Sequence, residues 1–310
     1  MVKVYNLMHD KDFAIHNRTI IIGNFDGVHL GHKFLISEAE KIAAKTNTML
    51  SALTFIPHSS MILYPGRIYN LFDENDKYKE LFASGIKDIF VVKNDPEFFN
   101  LSAKEFVENI LITKLKCSNI VVGKDFRFGK NRAGNLELLK FYENKGYFSV
   151  KLIDSNLSLV NNVISSTNIR NFLQEANIEA ASKLLGYPYF ITGTVIEGQK
   201  IATSLGYPTA NLDISKIFTP KYGVYSALME YNHKVYQGVI NSGITPNFRQ
   251  DMPKLEMYIF DFAENLYGKT IKIFPQRYQR EEMRFSKIEE LIEQMRIDCE
   301  IARDYFRKTL

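Results

Sequence analysis

The chain has 310 residues, of which 45% are hydrophobic and 24% charged, and its formal net charge is +4. This composition excludes a disordered chain, and the length allows two domains with separate cores. The small positive excess suits phosphate-bearing ligands without arguing for nucleic acid, and no apolar run approaches the ~18–20 residues that span a bilayer.

In the first half, β-branched runs alternate with amphipathic segments. TIIIG (19–23) predicts a strand, and KFLISEAEKIAAKT (33–46) a helix with Leu35, Ala39, Ile42 and Ala43 on one face. The pattern continues with MLSALTF (49–55) as strand, DENDKYKELFAS (73–84) as helix and DIFVV (88–92) as strand. SAKEFVENILITKL (102–115) reads as helix, NIVVG (119–123) as strand, NLELLKFYENKG (135–146) as helix and SVKLI (149–153) as strand. Strands joined by helices of this length make a parallel sheet covered on both faces, with ligands bound at the carboxyl ends of the strands.

Beyond residue 186 the rhythm changes. YFITGTVIEG (189–198), YGVYSALMEY (222–231), HKVYQGVIN (233–241), LEMYIFDF (255–262) and KTIKIFP (269–275) alternate polar and apolar residues with no helix between them. They predict an antiparallel barrel or sandwich. A last helix, roughly 287–307, carries Ile288, Leu291, Ile292, Met295, Ile297, Ile301 and Tyr305 at helical spacing. The fold class is therefore α/β plus β, with domains at 1–186 and 187–310 meeting at the punctuation Gly186-Tyr187-Pro188. Cys117 and Cys299 lack metal-ligand spacing, and the N-terminal segment lacks the apolar core of a signal peptide. A cytoplasmic protein without disulfides is expected.

Three clusters carry candidate chemistry. In GNFDGVHLGH (23–32), Gly23 and Gly27 allow a tight turn, and Gly31 lets an anion approach the first turn of the helix that follows. His29 and His32, three residues apart, can face one pocket and donate to phosphate oxygens, although two histidines on a turn can also be mere surface decoration. VVGKDFRFGKNRAG (121–134) gathers Lys124, Arg127, Lys130 and Arg132 with Asp125 after another strand, and reads either as a phosphate site or as a solvated basic loop. In ISSTNIRNFL (164–173), Ser165 or Ser166 can cap a helix starting near Thr167 and carrying Arg170. AENLYGKT (263–270) approaches a P-loop, but Ala263 replaces its first glycine and a strand follows instead of a helix, so that reading is rejected.

Taken together, GNFDGVHLGH, TFIPH (54–58), GKDFRFG (123–129) and SSTNIR (165–170) resemble the FMN adenylyltransferase module of prokaryotic bifunctional riboflavin kinase/FAD synthetases. GYPTANLD (206–213), LEMYIFDF, NLYGKTIKIF (265–274), Arg280-Glu281-Glu282-Met283-Arg284-Phe285 and IDCEIAR (297–303) resemble the riboflavin kinase module of the same family. The resemblance implies a Rossmann-like nucleotidylyltransferase domain followed by a riboflavin kinase β-barrel with a terminal helix. It implies that His29 and His32 bind the ATP phosphates and stabilise the transition state, that Arg170 is also catalytic, and that Gly23, Asn24, Phe25, Asp26, Gly31, Asp125, Ser165, Ser166, Thr167 and Gly198 lie in the nucleotide sites. It further implies Thr209 and Asn211 as ligands of the Mg²⁺ of MgATP, Glu256 as the base for the riboflavin 5′-hydroxyl, and Tyr207, Arg280 and Glu282 at the flavin. Riboflavin, FMN, FAD and ATP are the implied partners; neither nucleic acid nor membrane is expected, and a homo-oligomer is left open.

The chain also departs from the family pattern. Ser59 stands where the family has proline, Ala202-Thr203 where it commonly has Gly-Arg, and Ser242 and Asn247 replace the usual residues of NIGxxPTF. Losing that arginine removes a charged donor that Lys200 could replace, so the alternative is an FAD synthetase whose second half binds flavin with weak or no kinase activity.

Overall fold

The computed structural model describes residues 3–10, 17–59, 61, 70–154, 158–159, 162–198, 207–245 and 252–309. Lys200, Ala202, Thr203 and Asn247 lie outside the described residues. The chain divides into two compact units, Met1–Asn70 with Glu74–Ser165, and Leu71–Asp73 with Ser166–Leu310.

The first unit is a six-stranded parallel sheet in the order β1 (Lys3–Asn6), β4 (Asp88–Lys93), β3 (Met49–Ile56), β2 (Arg18–Ile22), β5 (Cys117–Gly123), β6 (Ser149–Ile153). Its central strand is buried throughout, and successive side chains serve opposite cores because strand side chains alternate. Ile20 and Ile22 join Phe90, Val92 and Val122 on one face, while Ile21 joins Ala52, Val91 and Val121 on the other. Helices α1 (Leu30–Thr46) and α2 (Glu74–Ala83) cover the second face, with Leu35, Ile36, Ala39 and Ala43 inward on α1. Ile42, expected there, is only half-buried; Ile36 takes its place.

The first face is covered by α3 (Pro96–Asn100), α4 and α5 (Leu136–Asn144). Here α4 opens as Ala103–Glu105 under a Ser102–Glu105 capping box and continues as a π-helical stretch, Phe106–Lys114, instead of the α-helix the sequence suggests. The wider turn brings Phe106, Val107, Ile110 and Leu111 inward. Strand β1 was not expected from the sequence. It is a short edge strand beside β4 and lacks the apolar run by which strands are read.

At the amino ends of these strands, Arg18 is 1% exposed and pairs with Asp88 at 2.7 Å. It also donates to Ser51 Oγ at 3.2 Å and lies 4.9 Å from the centroid of the Phe90 ring. The pair thus ties β2, β3 and β4 together.

A short antiparallel pair, β7 (Ser158–Leu159) and β8 (Asn162–Val163), follows β6, and the second unit begins with a helix pair, α6 (Ser166–Gln174) and α7 (Ile178–Leu185), followed by a closed barrel. The barrel order is β10 (Thr209–Asp213), β13 (Met252–Ile259), β12 (Lys234–Thr245), β11 (Gly223–Tyr231), β14 (Thr270–Arg280), β9 (Ile191–Ile196). The compact units divide before α6, ahead of the Gly186–Pro188 punctuation. Backbone and side-chain bonds hold the pair to the barrel chain: Lys221 N–H donates to Leu173 O at 2.8 Å, and Gln174 Nε2 to Thr219 O at 2.9 Å. The segment read as a rejected P-loop runs into β14, a strand, as expected.

The terminal helix, α8 (Ile288–Thr309), turns inward only part of the face its apolar spacing suggests. Ile288 and Ile301 are exposed, whereas Asp298, Ala302 and Phe306 are buried. Asp298 is drawn in by Arg280, whose Nε and Nη2 donate to its two oxygens at 2.9 and 2.6 Å, and by Gln294 at 2.9 Å.

Breaking a buried ion pair by removing one partner leaves the other charge uncompensated. Asp88→Ala should therefore lower the stability of the first unit by ~3–5 kcal/mol in chemical unfolding. A loss below about 1 kcal/mol would mean that Ser51 and the Phe90 ring suffice to hold Arg18.

Candidate functional site

Strand β2 ends at Ile22, where the sheet order reverses: the chain steps outward one way through β3 and β4, and later the other way through β5 and β6. Ligands of open α/β sheets bind at this switch point. The turn between β2 and α1 is strained, with Phe25 at φ 46°, Gly27 at φ 75° and Val28 at φ 33°. For phenylalanine and a β-branched valine this region is costly. Burial of both side chains opposes the strain, as do bonds from Gly23 N–H to Leu53 O (3.1 Å), Thr54 Oγ1 to Asn24 O (3.1 Å) and Ser59 N–H to Asn24 Oδ1 (3.0 Å). A proline at 59 would lack that last donor, so the family departure here is used structurally.

The turn delivers His29 to the N-cap of α1, where its Nδ1 accepts the His32 N–H at 3.4 Å and its proton therefore sits on Nε2. The two imidazoles stack with centroids 3.7 Å apart, and Phe25 meets His32 edge-on. His29 is buried, which removes the surface-decoration reading. Gly31 leaves room for this pair: a Cβ there would lie 3.2 Å from the His29 ring, closer than most Cβ contacts. Burial, then the nearby His29, Lys77 and His58, hold the His32 pKa well below its usual 6.5.

His32 lines a pocket of about 220 Å³ with Gly23, Phe25, Lys124, Asp125 and Asp154, gathered from the ends of β2, β5 and β6. Lys124 pairs with Asp154. Arg127, Lys130 and Arg132 are exposed and outside this lining, while Phe128 is buried against Gly134. Much of the basic loop is thus a solvated surface wrapped on an aromatic anchor. Asn24 is engaged with Ser59, and Asp26 is buried near Lys77; neither lines the pocket. Ser165 closes the first unit, whereas Ser166, Thr167 and Arg170 lie on α6 of the second, which starts at Ser166 instead of Thr167.

In the second unit a cavity of about 320 Å³ lies between the barrel wall and α8. Leu255 and Met257 of β13 point into the barrel, so the alternate residues Lys254, Glu256 and Tyr258 face the cavity. Antiparallel register sets Asn211 of β10, Glu256 of β13 and Asn241 of β12 side by side on one rung. Thr209 lies on the same wall, and Lys254 Nζ is 3.6 Å from Glu256 Oε1. A Cβ on Gly198 would collide with the Asn211 amide, and one on Gly243 with the Glu282 carboxylate. Arg280 and Glu282 line the cavity, although the Arg280 donors go to Asp298 and to Glu281 O. Tyr207 packs edge-on against Tyr258 at 5.2 Å, outside the lining.

Thr209 and Asn211 present oxygen donors, and the Asn241 Oδ1 is buried with no hydrogen-bond partner among the described residues. Such a donor set fits a hard cation that keeps water and phosphate ligands. Lys77, Asn241 and Asp298 were not singled out by the sequence motifs. Only Asn241 had a readable signal, since period-two alternation sets it on the face of Val239, away from buried Ile240. Ser242, one of the departures from the family pattern, is buried on the other face, its hydroxyl without a partner among the described residues.

A parallel sheet with a histidine pair at its switch point, followed by a barrel with a threonine-asparagine-glutamate wall, defines a nucleotidyl-transfer unit joined to a flavokinase unit. The FAD synthetase family model matches residues 13–168, and the riboflavin kinase family model matches residues 185–306. A bifunctional riboflavin kinase/FMN adenylyltransferase of Buchnera aphidicola (Schizaphis graminum) is 39% identical over 98% of this chain and 99% of its own. Proteins of the same description from Listeria monocytogenes (35% identical, 94% and 93% covered) and Escherichia coli K12 (31%, 94% and 93%) are also similar. The chain belongs to the bifunctional riboflavin kinase/FMN adenylyltransferase family. A Streptococcus pneumoniae crystal structure described as a macrolide-efflux protein shares the fold, with TM-score 0.81, 27% identity, and 97% and 98% of the two chains covered. No helix among the described residues here is long and apolar enough to cross a membrane.

Because the fold keeps His32 neutral, the native protein binds fewer protons than the unfolded chain below about pH 6.5. Stability of the first unit should fall as pH drops through that value, and His32→Gln should reduce the slope by up to about 1.4 kcal/mol per pH unit in unfolding titrations. An unchanged slope would assign the proton uptake to other groups.

Proposed function

We propose that the chain makes FAD from riboflavin in two ATP-dependent steps, with residues 187–310 carrying the kinase and residues 1–186 the adenylyl transfer. The observation that carries this reading is that each unit holds its own pocket, lined by its own motif: Gly23, Phe25, His32 and Asp125 in one, Thr209, Asn211 and Glu256 in the other.

In the kinase step Glu256 takes the proton of the riboflavin 5′-hydroxyl as its oxygen attacks the γ-phosphorus of ATP, giving FMN and ADP. Asn211 and Asn241 flank the carboxylate on its rung, and Lys254 holds it from the same strand. Thr209 and Asn211 would hold Mg²⁺, which when bound offsets charge on the ATP phosphates. In the second step an FMN phosphate oxygen attacks the α-phosphorus of another ATP, and pyrophosphate leaves. His29 Nε2–H and the His32 imidazole serve as donors to the phosphates in a site walled by low-dielectric core. No covalent enzyme intermediate is needed; positioning and positive charge suffice. The roles of Ser165, Ser166, Thr167 and Arg170 rest on the sequence resemblance and are tested separately by Arg170→Ala.

Chromatography of the products from riboflavin, ATP and Mg²⁺ should show FMN and then FAD. Glu256→Gln should cut FMN formation by ~10²–10⁴-fold while converting supplied FMN to FAD normally. His32→Ala should do the reverse, lowering FAD formation by ~10²-fold or more. Intact FMN formation in Glu256→Gln would place the base elsewhere, and loss of both reactions in a folded variant would refute independent pockets.

A further inference from the structure

Beside Glu256 in the second-unit cavity stands a lysine whose donors are unspent. Lys254 precedes Glu256 by two residues on β13, so both side chains leave the same face and line the cavity. Lys254 Nζ lies 3.6 Å from Glu256 Oε1, beyond hydrogen-bond range, and among the described residues no acceptor takes its N–H groups. On the neighbouring strand its register partner is Gly243, and the Glu282 carboxylate lies against that glycine. The described lining thus sets Glu256, Glu282 and Asp298 against the cations Lys254 and Arg280. Arg280 is committed to Asp298 and to Glu281 O, which leaves Lys254 as the lining cation with donors for a ligand. A partly exposed pair such as Lys254 with Glu256 adds little to stability, so folding alone gives no reason for a lysine here.

We propose that Lys254 is a catalytic residue of the kinase step, donating to the oxygens of the phosphoryl group as it passes from ATP to the riboflavin 5′-oxygen. The proposal rests on the reading of Glu256 as the base of that step. A base stands within ~2.6–3.2 Å of the hydroxyl it deprotonates, and the attacked phosphorus within ~3–3.5 Å of that oxygen. A flexible lysine already 3.6 Å from Glu256 Oε1 reaches a phosphoryl group so placed by rotation of its stem. As the new O–P bond forms, the bond from phosphorus to the ADP oxygen breaks and the hydroxyl proton passes to Glu256. That protonation cancels the carboxylate charge which Lys254 faces in the free protein and leaves the ammonium to the phosphoryl oxygens. Lys254 gives up no proton itself, and it ends beside the phosphate of FMN.

The test uses the full chain with riboflavin and MgATP and reads ADP release, which reports the kinase step alone because adenylyl transfer releases pyrophosphate. Lys254→Met should lower kcat by ~10-fold or more, while the KM for riboflavin, which has no phosphate, changes by less than about twofold. Added FMN, acting as product inhibitor of ADP release, should inhibit this variant ~10-fold less well. Lys254→Arg keeps the charge and should recover most of both effects, whereas Lys254→Glu should fall below Lys254→Met. All three variants should convert supplied FMN to FAD at the unaltered rate, and thermal unfolding checks that the second unit is folded. A folded Lys254→Met with kcat and FMN inhibition unchanged overturns the proposal. Equal losses in Lys254→Met and Lys254→Arg, together with a raised KM for riboflavin, overturn it as well, because the side chain would then be structural. Should Lys254→Met not fold, the neutral and polar Lys254→Gln replaces it under the same criteria. Failure of the unaltered chain to release ADP, or full ADP release by Glu256→Gln, would overturn the reading of the kinase site and this proposal with it. Normal FMN formation with an indifferent Lys254 overturns this inference alone.

Discussion

The first unit depends on one backbone constraint, the passage from β2 into α1 through a turn with Phe25, Gly27 and Val28 in the left-handed region. A relaxed turn would not place the His29 ring over the α1 amino end with His32 stacked on it. The strain persists because the surroundings over-determine the turn: Phe25 and Val28 are buried, Asn24 is bonded to Thr54 and to Ser59, and the charge of buried Asp26 favours that of Lys77. Scaffold and chemistry occupy opposite ends of the same strands. Arg18 and Asp88 lock the amino ends of β2 and β4, leaving the carboxyl ends to carry glycines and ionisable groups.

The second unit solves a different problem, that of exposing polar groups on a barrel whose interior is full. Its answer is the strand period of two. On β13 the even residues face the cavity while Leu255 and Met257 fill the core. Closure of the barrel brings β10, β13 and β12 into adjacent register, so that single polar residues of three strands make one continuous row. The Arg280–Asp298 pair then draws α8 across the open side of that row, and Leu291 and Met295 become cavity wall.

Those two residues show where periodicity stops being informative. An apolar stripe on a helix identifies the helix, yet a cavity wall and a packed core call for the same side chains. The stripe on α8 was legible, but its buried anchor proved to be an aspartate, and a charge enters an interior only when a partner from elsewhere in the chain meets it. Lys77 is the parallel case in the first unit. On an amphipathic helix rich in charge it reads as one more solvated lysine, because nothing in its neighbours reports that Phe55 O will accept from it or that Asp26 will favour its charge.

By itself the sequence determined whatever local spacing encodes: the alternation of strands and helices, the change to antiparallel strands after residue 186, and the motif strings that mark the family. It also pointed to His29 and His32, since a strand-turn-helix junction with glycines is a local event. Tertiary structure alone decided which cations of the GKDFRFGKNRAG loop reach the pocket, that Gly31 makes room for a ring, and that α6 and α7 group with the barrel. It also decided which buried charges hold the sites. These are settled by contacts between residues far apart in the chain, 70 positions for Arg18 with Asp88 and 22 for Lys77 with Phe55, whose energies come from desolvation and pairing that no local pattern records.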